Sequence, residues 1–201
     1  MSIAAVILAG GRGERLGGVN KALIEIGGER FIDRAMRAAS GCAPILAAVG
    51  RTPFELPDPA SAVLDIESDY AGPLAGVAAA AEALAVGGSE ALLSLAVDGP
   101  LFPTDFVERA TALLAHAPAV IAAYRGQVYP TNGLWRMEAL ARLPAGVRDG
   151  SAPRSLKRLA EAMGAVVLDY AELSGHNPFR NANTPEELAF LRAQIAVSKP
   201  G

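Results

Sequence analysis

Short, continuous apolar segments recur along the chain and predict strands. Each has the length of a strand and is followed by Gly, Asp or another turn residue. Segments of this kind are typical of strands covered on both faces, because an uninterrupted apolar run leaves no polar face for solvent. The four segments are Ile3–Leu8, Ile45–Val49, Ala91–Val97 and Ala119–Ala123.

Helical patterns lie between these predicted strands. They cover Phe31–Ala39, Leu74–Ala85 and Phe106–Ala115. Strands that alternate with helices indicate a parallel sheet with right-handed crossover connections. We therefore predict an α/β fold in three layers, with helices on both faces of the sheet.

Three further segments break this simple repeat. Ala62–Leu64 is predicted as a short strand, Gln127–Trp135 as an antiparallel edge strand, and Ala165–Leu168 as another strand. An antiparallel member makes the sheet mixed. We therefore expect a mostly parallel mixed sheet.

The last helix has the clearest local signal. Thr184 can cap it, Pro185 suits its first turn, and Glu187 completes a capping box. The proline-rich stretch Thr52–Pro59 is predicted as a loop rather than a linker, because the N-terminal strand needs partners from beyond it. Residues 1–201 are accordingly predicted to form one domain.

Composition excludes several classes of protein. Of the 201 residues, 51% are hydrophobic and 19% charged, which indicates a globular chain. A formal charge of -3 makes nucleic acid an unexpected partner. The apolar stretches 76–86 and 117–124 are too short to cross a membrane. Cys42 has no second cysteine to pair with, and the two histidines cannot build a Cys/His zinc cluster, so we expect a reducing, cytoplasmic location.

A glycine-rich turn follows the first strand and is the sharpest chemical signal. Gly10, Gly11 and Gly13 let the backbone approach a ligand and turn its N–H groups inward, while Arg15 and Lys21 add positive charge. The segment therefore predicts a phosphate-binding loop. An ordinary glycine-rich turn between strand and helix is the alternative.

The two commonest glycine motifs do not match this turn. No Gly-Lys-Ser/Thr follows, which excludes a P-loop. Leu16 stands where a dinucleotide-binding fold has glycine, which disfavours a dehydrogenase.

An aspartate follows the third buried strand. Asp98 comes directly after Ala91–Val97, and ligands bind at such strand ends in open α/β sheets. One carboxylate is enough to predict a Mg²⁺ ligand, since this cation keeps several waters and takes further oxygens from substrate phosphates. The alternative is an aspartate that only caps the turn before Pro100.

Two further segments are candidates for the same site. Asn181 and Asn183 alternate along an extended segment, so both amides face one side and either could meet a metal or its waters, although both could simply precede a capped helix. Asp65 ends a short strand, and Gly76 lies in a Gly-Pro-Leu-Ala-Gly motif that permits close approach of a base or ribose. Tight packing of the loop and helix explains Gly76 equally well.

Taken together, these motifs resemble the molybdenum cofactor guanylyltransferase family over nearly the whole chain. The matching motifs are Leu-Ala-Gly-Gly at 8–11 with Arg15, Gly17, Gly18 and Lys21, then Gly-Pro-Leu-Ala-Gly at 72–76, Asp-Gly-Pro at 98–100 and Asn-Thr-Pro-Glu-Glu-Leu at 183–188. The resemblance implies a Rossmann-like nucleotidyltransferase fold. It also implies transfer of GMP from GTP to molybdopterin with release of pyrophosphate.

The resemblance also implies residue roles and partners. Leu8, Ala9 and Gly10 match the segment that contacts the guanine nucleotide, Lys21 the phosphate-binding lysine, and Asp65 a nucleotide-contacting aspartate. Asp98 matches the Mg²⁺ ligand and Asn183 an asparagine near the metal. Together with the predicted phosphate-binding loop, this gives two sets of candidates. The predicted catalytic residues are Arg15, Lys21 and Asp98. The predicted nucleotide-binding residues are Leu8, Ala9, Gly10, Gly11, Gly13, Lys21, Asp65, Gly76 and Asp98. Cofactor-insertion proteins or molybdoenzymes are the expected downstream partners.

The chain also departs from the family pattern. Val49-Gly50 stands where the family often has an asparagine that reads the base, Tyr129-Pro130-Thr131 replaces a His-Pro, and the basic acceptor-side segment is reduced to Arg148, Arg154, Lys157 and Arg158. Cytidylyl transfer to molybdopterin, nucleotidyl transfer to another small phosphate acceptor, and a non-catalytic nucleotide-binding paralogue therefore stay open as alternatives.

Overall fold

A seven-stranded sheet forms the middle layer of the computed structural model, which describes residues 1–50, 54–66 and 68–197. The order of its strands across the sheet is β7-β5-β6-β4-β1-β2-β3. In chain order the strands are β1 (Ile3–Leu8), β2 (Ile45–Ala48), β3 (Ser61–Val63), β4 (Ala91–Ala96), β5 (Ala119–Tyr124), β6 (Gln127–Arg136) and β7 (Val166–Asp169).

The sheet is mixed, as the sequence predicts, but its antiparallel strand lies in the interior. Strand β6 pairs antiparallel with both β4 and β5, while the other neighbouring pairs are parallel. The prediction of an edge strand at 127–135 is therefore wrong. Leu134 and Trp135 are fully buried. An interior position, with a neighbouring strand on each edge and helices on each face, therefore gives this end of β6 the largest hydrophobic stabilisation.

A bulge allows the proline-containing strand β6 to pair on both sides. Its register shifts between Tyr129 and Gly133, so Pro130, which has no N–H group, falls in the irregular part. The Oδ1 atom of Asn132 accepts a hydrogen bond of 3.0 Å from the backbone N–H of Ala96 there. A side chain thus takes the place of a missing backbone partner.

Helices cover both faces of the sheet. The three helices predicted between the strands are confirmed with small changes at their ends, and four α-helices of the described residues follow strand β6, the last of them the predicted C-terminal helix. The helices are α1 (Phe31–Ala38), α2 (Pro73–Ala83), α3 (Phe106–Leu114), α4 (Met137–Leu140), α5 (Leu143–Asp149), α6 (Leu156–Met163) and α7 (Pro185–Val197).

Two apolar cores lie on opposite faces of the sheet, which completes the three layers. One contains Phe106, Phe179 and Leu191, and the other contains Leu74 and Trp135. The continuous apolar strands are buried because each contributes side chains to both cores.

The C-terminal helix begins as its sequence predicts. The backbone N–H of Glu187 donates to Thr184 Oγ1, and the N–H of Thr184 donates to Glu187 Oε2, each over 3.2 Å. Within the predicted loop 52–59, residues 54–59 form neither helix nor strand, and residues 52 and 53 lie outside the described residues. None of the described helices is long and apolar enough to cross a membrane.

Candidate active site

A cavity of about 290 Å³ lies at the carboxyl ends of strands β1, β2 and β4. Ligands bind at this edge in open α/β sheets. We call it the donor cavity. Eight of the residues proposed from the sequence line it, namely Leu8, Gly10, Gly11, Lys21, Asp65, Gly76, Asp98 and Asn183, together with Ala48, Gly72, Pro73, Ala96, Val97, Thr131 and Asn181.

Glycine is required at the turn after β1 because two backbones approach each other there. A Cβ atom on Gly10 would lie 2.9 Å from the backbone nitrogen of Gly50, which follows β2. A Cβ atom on Gly11 would meet no atom within 4 Å. Gly10 is therefore needed for packing, whereas Gly11 leaves open space beside the cavity.

Gly13 supports Lys21 from outside the donor cavity. A Cβ atom on Gly13 would lie 2.6 Å from the carbonyl oxygen of Val19 and 3.4 Å from Cγ of Lys21. Asn20 then caps the short 3₁₀ helix Lys21–Leu23 by accepting a 3.0 Å hydrogen bond from the N–H of Ala22. Gly13 thus makes room for the carbonyl oxygen of Val19, and the stem of Lys21 packs beside it at ordinary van der Waals distance.

The central polar contact joins residues that are far apart in sequence. The ammonium group of Lys21 donates to Asp98 Oδ2 over 2.6 Å and to Asn183 Oδ1 over 2.7 Å. The Lys21 and Asp98 side chains are 11% and 13% exposed. Two acceptor oxygens and one cation therefore converge in the lining of the donor cavity, and their partial burial makes the charge interaction stronger than in bulk water.

The segment that carries Asn183 is tied to the end of strand β4. The N–H of Ala182 donates to the carbonyl oxygen of Asp98 over 2.9 Å, and the N–H of Asn183 donates to Glu187 Oε2 over 2.8 Å. Upstream, Phe179 is fully buried, and its ring packs edge-on against Tyr170. This anchoring fixes the backbone of Asn183 next to the end of strand β4.

Asn181 brings a buried oxygen to the same place. Its Oδ1 atom has no hydrogen-bond partner among the described residues and would lie 3.3 Å from a Cβ on Gly99. Buried polar atoms are nearly always paired, so this oxygen is suited to a ligand or an ordered water.

One wall of the donor cavity is built by the N-terminus of helix α2. Gly72, with φ of 77°, leads into the helix, and Pro73 occupies its first turn. Gly76 packs against strands β1 and β2, since its Cβ would lie 2.8 Å from the Cβ of Ala48 and 3.0 Å from Leu8 Cδ2. The tight packing of Gly76 is therefore confirmed, and because Gly76 also lines the cavity, close approach of a base or ribose there stays a prediction. Asp65 also lines the cavity.

Three proposed site residues do not line the donor cavity. Ala9 is buried and pairs its N–H with the carbonyl oxygen of Ala48, Gly13 lies behind Lys21, and Arg15 is exposed in the turn after it. Val49 is also outside the lining, with a side chain that is only 3% exposed.

A second, more polar cavity of about 410 Å³ adjoins the donor cavity. The two share Thr131, Asn181 and Asn183. The Nδ2 atom of Asn177 donates to the Tyr129 hydroxyl over 2.5 Å, and the Arg180 guanidinium lies 4.3 Å from the centre of the Phe190 ring. We call this the acceptor cavity, and its lining residues are Gln127, Val128, Tyr129, Pro130, Thr131, Asn177, Arg180, Asn181, Asn183 and Glu187.

The four basic residues singled out in the sequence lie elsewhere. Arg148 pairs with Glu82 over 2.5 Å, Arg154 stacks on Tyr70, and neither Lys157 nor Arg158 lines the donor or acceptor cavity. The cationic side chain of the acceptor cavity is Arg180 instead, which sequence reasoning missed. Its position directly before Asn181 is the signal that could have found it.

The oxygens around Lys21 fit a magnesium ion chemically. Mg²⁺ takes oxygen ligands and is usually held by one or two carboxylates together with waters and substrate phosphates. Asp98 supplies a carboxylate, Asn183 an amide oxygen that converges on the same point, and Asn181 a buried oxygen without a protein partner among the described residues. The donor set therefore suits a cation that is completed by a phosphate ligand.

Comparison with known proteins identifies similar sequences over the full length. A family model described as MobA-like NTP transferase domain matches residues 5–164. A molybdenum cofactor guanylyltransferase of Acidiphilium cryptum is 38% identical and covers 92% of this chain and 91% of its own. That of Rhodobacter capsulatus is 35% identical and covers 100% of both chains.

Solved structures share the fold at lower identity. Molybdopterin-guanine dinucleotide biosynthesis protein A of Archaeoglobus fulgidus has a TM-score of 0.72 and 18% identity, covering 98% of this chain and 100% of its own. A 2-C-methyl-D-erythritol 4-phosphate cytidylyltransferase of Thermus thermophilus has a TM-score of 0.69 and 20% identity, again covering 98% and 100%. The mostly parallel mixed sheet is thus a nucleotidyltransferase fold.

Proposed function

The chain belongs to the MobA-like NTP transferase family, and from this premise we propose that it transfers GMP from GTP to molybdopterin and releases pyrophosphate. Membership makes it a nucleotidyltransferase. The identities of the base, of the acceptor and of the metal ion belong to the proposal.

The observation that carries the proposal is the contact between Lys21 and Asp98, which both line the donor cavity. A triphosphate transferase needs a cation for the phosphates and a carboxylate for their metal ion. Both groups are present here, with 2.6 Å between Lys21 Nζ and Asp98 Oδ2, and they lie beside a glycine turn that can admit phosphate oxygens. The presence of both groups favours an enzyme over a non-catalytic nucleotide-binding paralogue, which turnover then tests.

Each part of the site then has a task in the reaction. Gly10 and Gly11 let the nucleotide approach the backbone, and Gly72, Pro73 and Gly76 at the start of α2 line the same cavity. Lys21 neutralises phosphate charge, and Asp98 and Asn183 would hold Mg²⁺, which when bound supplies Lewis-acid stabilisation of the developing charge. Reaction by positioning needs no protein nucleophile.

The acceptor cavity is placed to hold the phosphate that attacks. It meets the donor cavity at Asn181 and Asn183, so a group bound there would lie next to a nucleotide in the donor cavity, and attack on the α-phosphorus from this side is part of the proposal. Arg180 would pair with the acceptor phosphate. Tyr129 would offer an aromatic surface to a flat heterocycle.

We infer that guanine selection does not depend on the residue after β2. Val49 is buried and outside the lining, so we expect its side chain to make no contact with the base. Asp65 is the charged side chain on that side of the cavity and is the candidate for pairing with nucleotide N–H or O–H donors.

Two measurements on the purified protein test the proposal. The first is thermal unfolding with Mg²⁺ and each of GTP, ATP, CTP and UTP. A ligand at about 100 times its dissociation constant stabilises by about 2.7 kcal/mol. This corresponds to a rise of roughly 5 to 10 °C in Tm for a chain of this length. We expect the shift with GTP, whereas a shift with CTP alone would assign the protein to cytidylyl transfer.

The second measurement is turnover with GTP and molybdopterin, followed through pyrophosphate and the dinucleotide product. We expect product with the wild type and a loss of about 100-fold or more with Asp98→Asn, the size typical of one electrostatic contact to a transition state. The matched control is Asp149→Asn, which changes an exposed aspartate at the end of α5. Binding of GTP without any turnover by the wild type would instead support the non-catalytic paralogue.

Two expectations from the sequence stay predictions. We place the reaction in the cytoplasm, where the buried thiol of Cys42 would stay reduced. We also expect cofactor-insertion proteins or molybdoenzymes to receive the product.

A further inference from the structure

Lys21 holds the two protein oxygens that the metal ion would need. Its ammonium nitrogen lies 2.6 Å from Asp98 Oδ2 and 2.7 Å from Asn183 Oδ1. A magnesium ion bonds to oxygen at about 2.0 to 2.1 Å. An ion held by both oxygens on the side that faces Lys21 would therefore overlap the ammonium group, and the two cations cannot occupy this place together.

We propose that Lys21 closes the cation site of the free enzyme, so that a divalent cation gains Asp98 and Asn183 only when a triphosphate draws Lys21 away. This inference rests on the proposed function for the identity of the triphosphate. It assigns Lys21 a role in the order of binding, in addition to its expected contact with phosphate.

The surroundings of Lys21 favour such an exchange. The side chain is largely buried, so its charge needs an anionic partner in every state. A lysine has a flexible four-carbon stem and can move its ammonium group by several ångströms without any change in the backbone. Triphosphate oxygens in the donor cavity would supply the alternative partner, because Gly10 and Gly11 line that cavity together with Lys21.

The backbone around Lys21 is held in place during this exchange. Asn20 caps the 3₁₀ helix that begins at Lys21, and the stem of Lys21 passes over Gly13. On the other side, the N–H of Ala182 is bonded to the carbonyl oxygen of Asp98. The lysine side chain is thus the movable part between two fixed elements.

The test measures binding of Mn²⁺ alone, without nucleotide or acceptor, by electron paramagnetic resonance. The apparent affinity of a site falls by the fraction of molecules in which the site is open, so an ion pair closed in about nine of ten molecules weakens binding about tenfold. We therefore expect Lys21→Met to bind Mn²⁺ about tenfold or more tightly than the wild type. Lys21→Gln repeats the test if the methionine variant does not fold.

Two controls make the result specific. Lys157→Met removes an equal charge from an exposed lysine on α6 and should leave Mn²⁺ binding as in the wild type. The double variant with Asp98→Asn and Lys21→Met should lose the tighter site. Equal affinity in the wild type and Lys21→Met, or a tight site that survives the Asp98→Asn change, would overturn the inference.

The outcome is separable from that of the proposed function. No nucleotide or acceptor enters the metal-binding measurement, so failure of GTP turnover leaves its result intact. Conversely, an enzyme that makes the dinucleotide but whose Lys21→Met variant binds Mn²⁺ no more tightly keeps its proposed function and loses this coupling.

Discussion

Gly76 of helix α2 packs directly on Ala48 of strand β2, so closely that a Cβ atom on the glycine would lie 2.8 Å from the Cβ of Ala48. The same contact forms a wall of the donor cavity. Helix α2 is buried along most of its length and consists largely of alanine, so it depends on close approach to the sheet.

We expect Gly76→Ala to destabilise the protein. The added methyl group overpacks the helix against the sheet, at a cost of about 1 to 3 kcal/mol. Alanine also favours the helical backbone by about 1 kcal/mol, so overpacking should win by a modest margin. Urea unfolding measures the change, with Gly41→Ala as control, because a Cβ on Gly41 meets no atom within 4 Å. Equal stability of the two variants would contradict the tight packing.

Gly11→Ala should lower the affinity for GTP and leave the stability of the fold nearly unchanged. A Cβ at this position meets no protein atom within 4 Å, so we expect little change in stability. Because Gly11 lines the donor cavity, the methyl group would stand where the nucleotide approaches the backbone, and GTP affinity should fall by roughly tenfold. Isothermal titration with GTP checks this, and unchanged affinity would place the triphosphate away from the glycine turn.

Arg180→Ala should weaken binding of the acceptor and leave the donor untouched. One lost charge-assisted hydrogen bond corresponds to about a tenfold rise in KM for molybdopterin. The measurement is steady-state kinetics with each substrate varied in turn. Arg192→Ala, on the exposed surface of α7, is the matched control. An equal rise in KM for GTP would show instead that Arg180 affects the binding of both substrates.

Asp169 should make stability depend on pH at the acid end. Its carboxylate accepts hydrogen bonds from the backbone N–H groups of Gly126, Ala171 and Arg125, the first over 2.7 Å. These bonds, that of Gly126 above all, lower the pKa of Asp169 below its ordinary value. A lowered pKa means that the contribution to stability is present above the ordinary pKa and is lost as the pH falls through the pKa of the folded state.

We therefore expect Asp169→Asn to be less stable than the wild type by about 1 kcal/mol at pH 7, with the difference shrinking toward pH 3.5. Urea unfolding at both pH values measures it. Asp58→Asn, at an exposed loop position, should show no such difference at either pH. A constant gap across the range would exclude the carboxylate charge as its source.

The sequence by itself determined the fold class, the bounds of most strands and the residue types of the site. Buried strands such as Ile3–Leu8 read as uninterrupted apolar runs because both faces are covered, and the capping box of α7 is a local signal between Thr184 and Glu187. The same holds for the glycine turn and Asp98, since turns and strand ends are encoded by neighbouring residues.

Only the tertiary structure decided which of these residues meet. Lys21, Asp98 and Asn183 converge because three separate segments end at one edge of the sheet, and no local pattern encodes that distance. Strand β6 lies inside the sheet because its bulge places Pro130 where no ladder hydrogen bond is needed, and because its last residues are buried in the core. The alternation of residues in a strand does not indicate either feature. Arg180, rather than the four basic residues chosen from the sequence, reaches the acceptor cavity, because the direction of a side chain depends on packing around Phe179 and Phe190. Turns, caps and strand ends depend on neighbouring residues and can be predicted from the sequence. The meeting of distant side chains depends on the order and register of the strands, which only the tertiary structure defines.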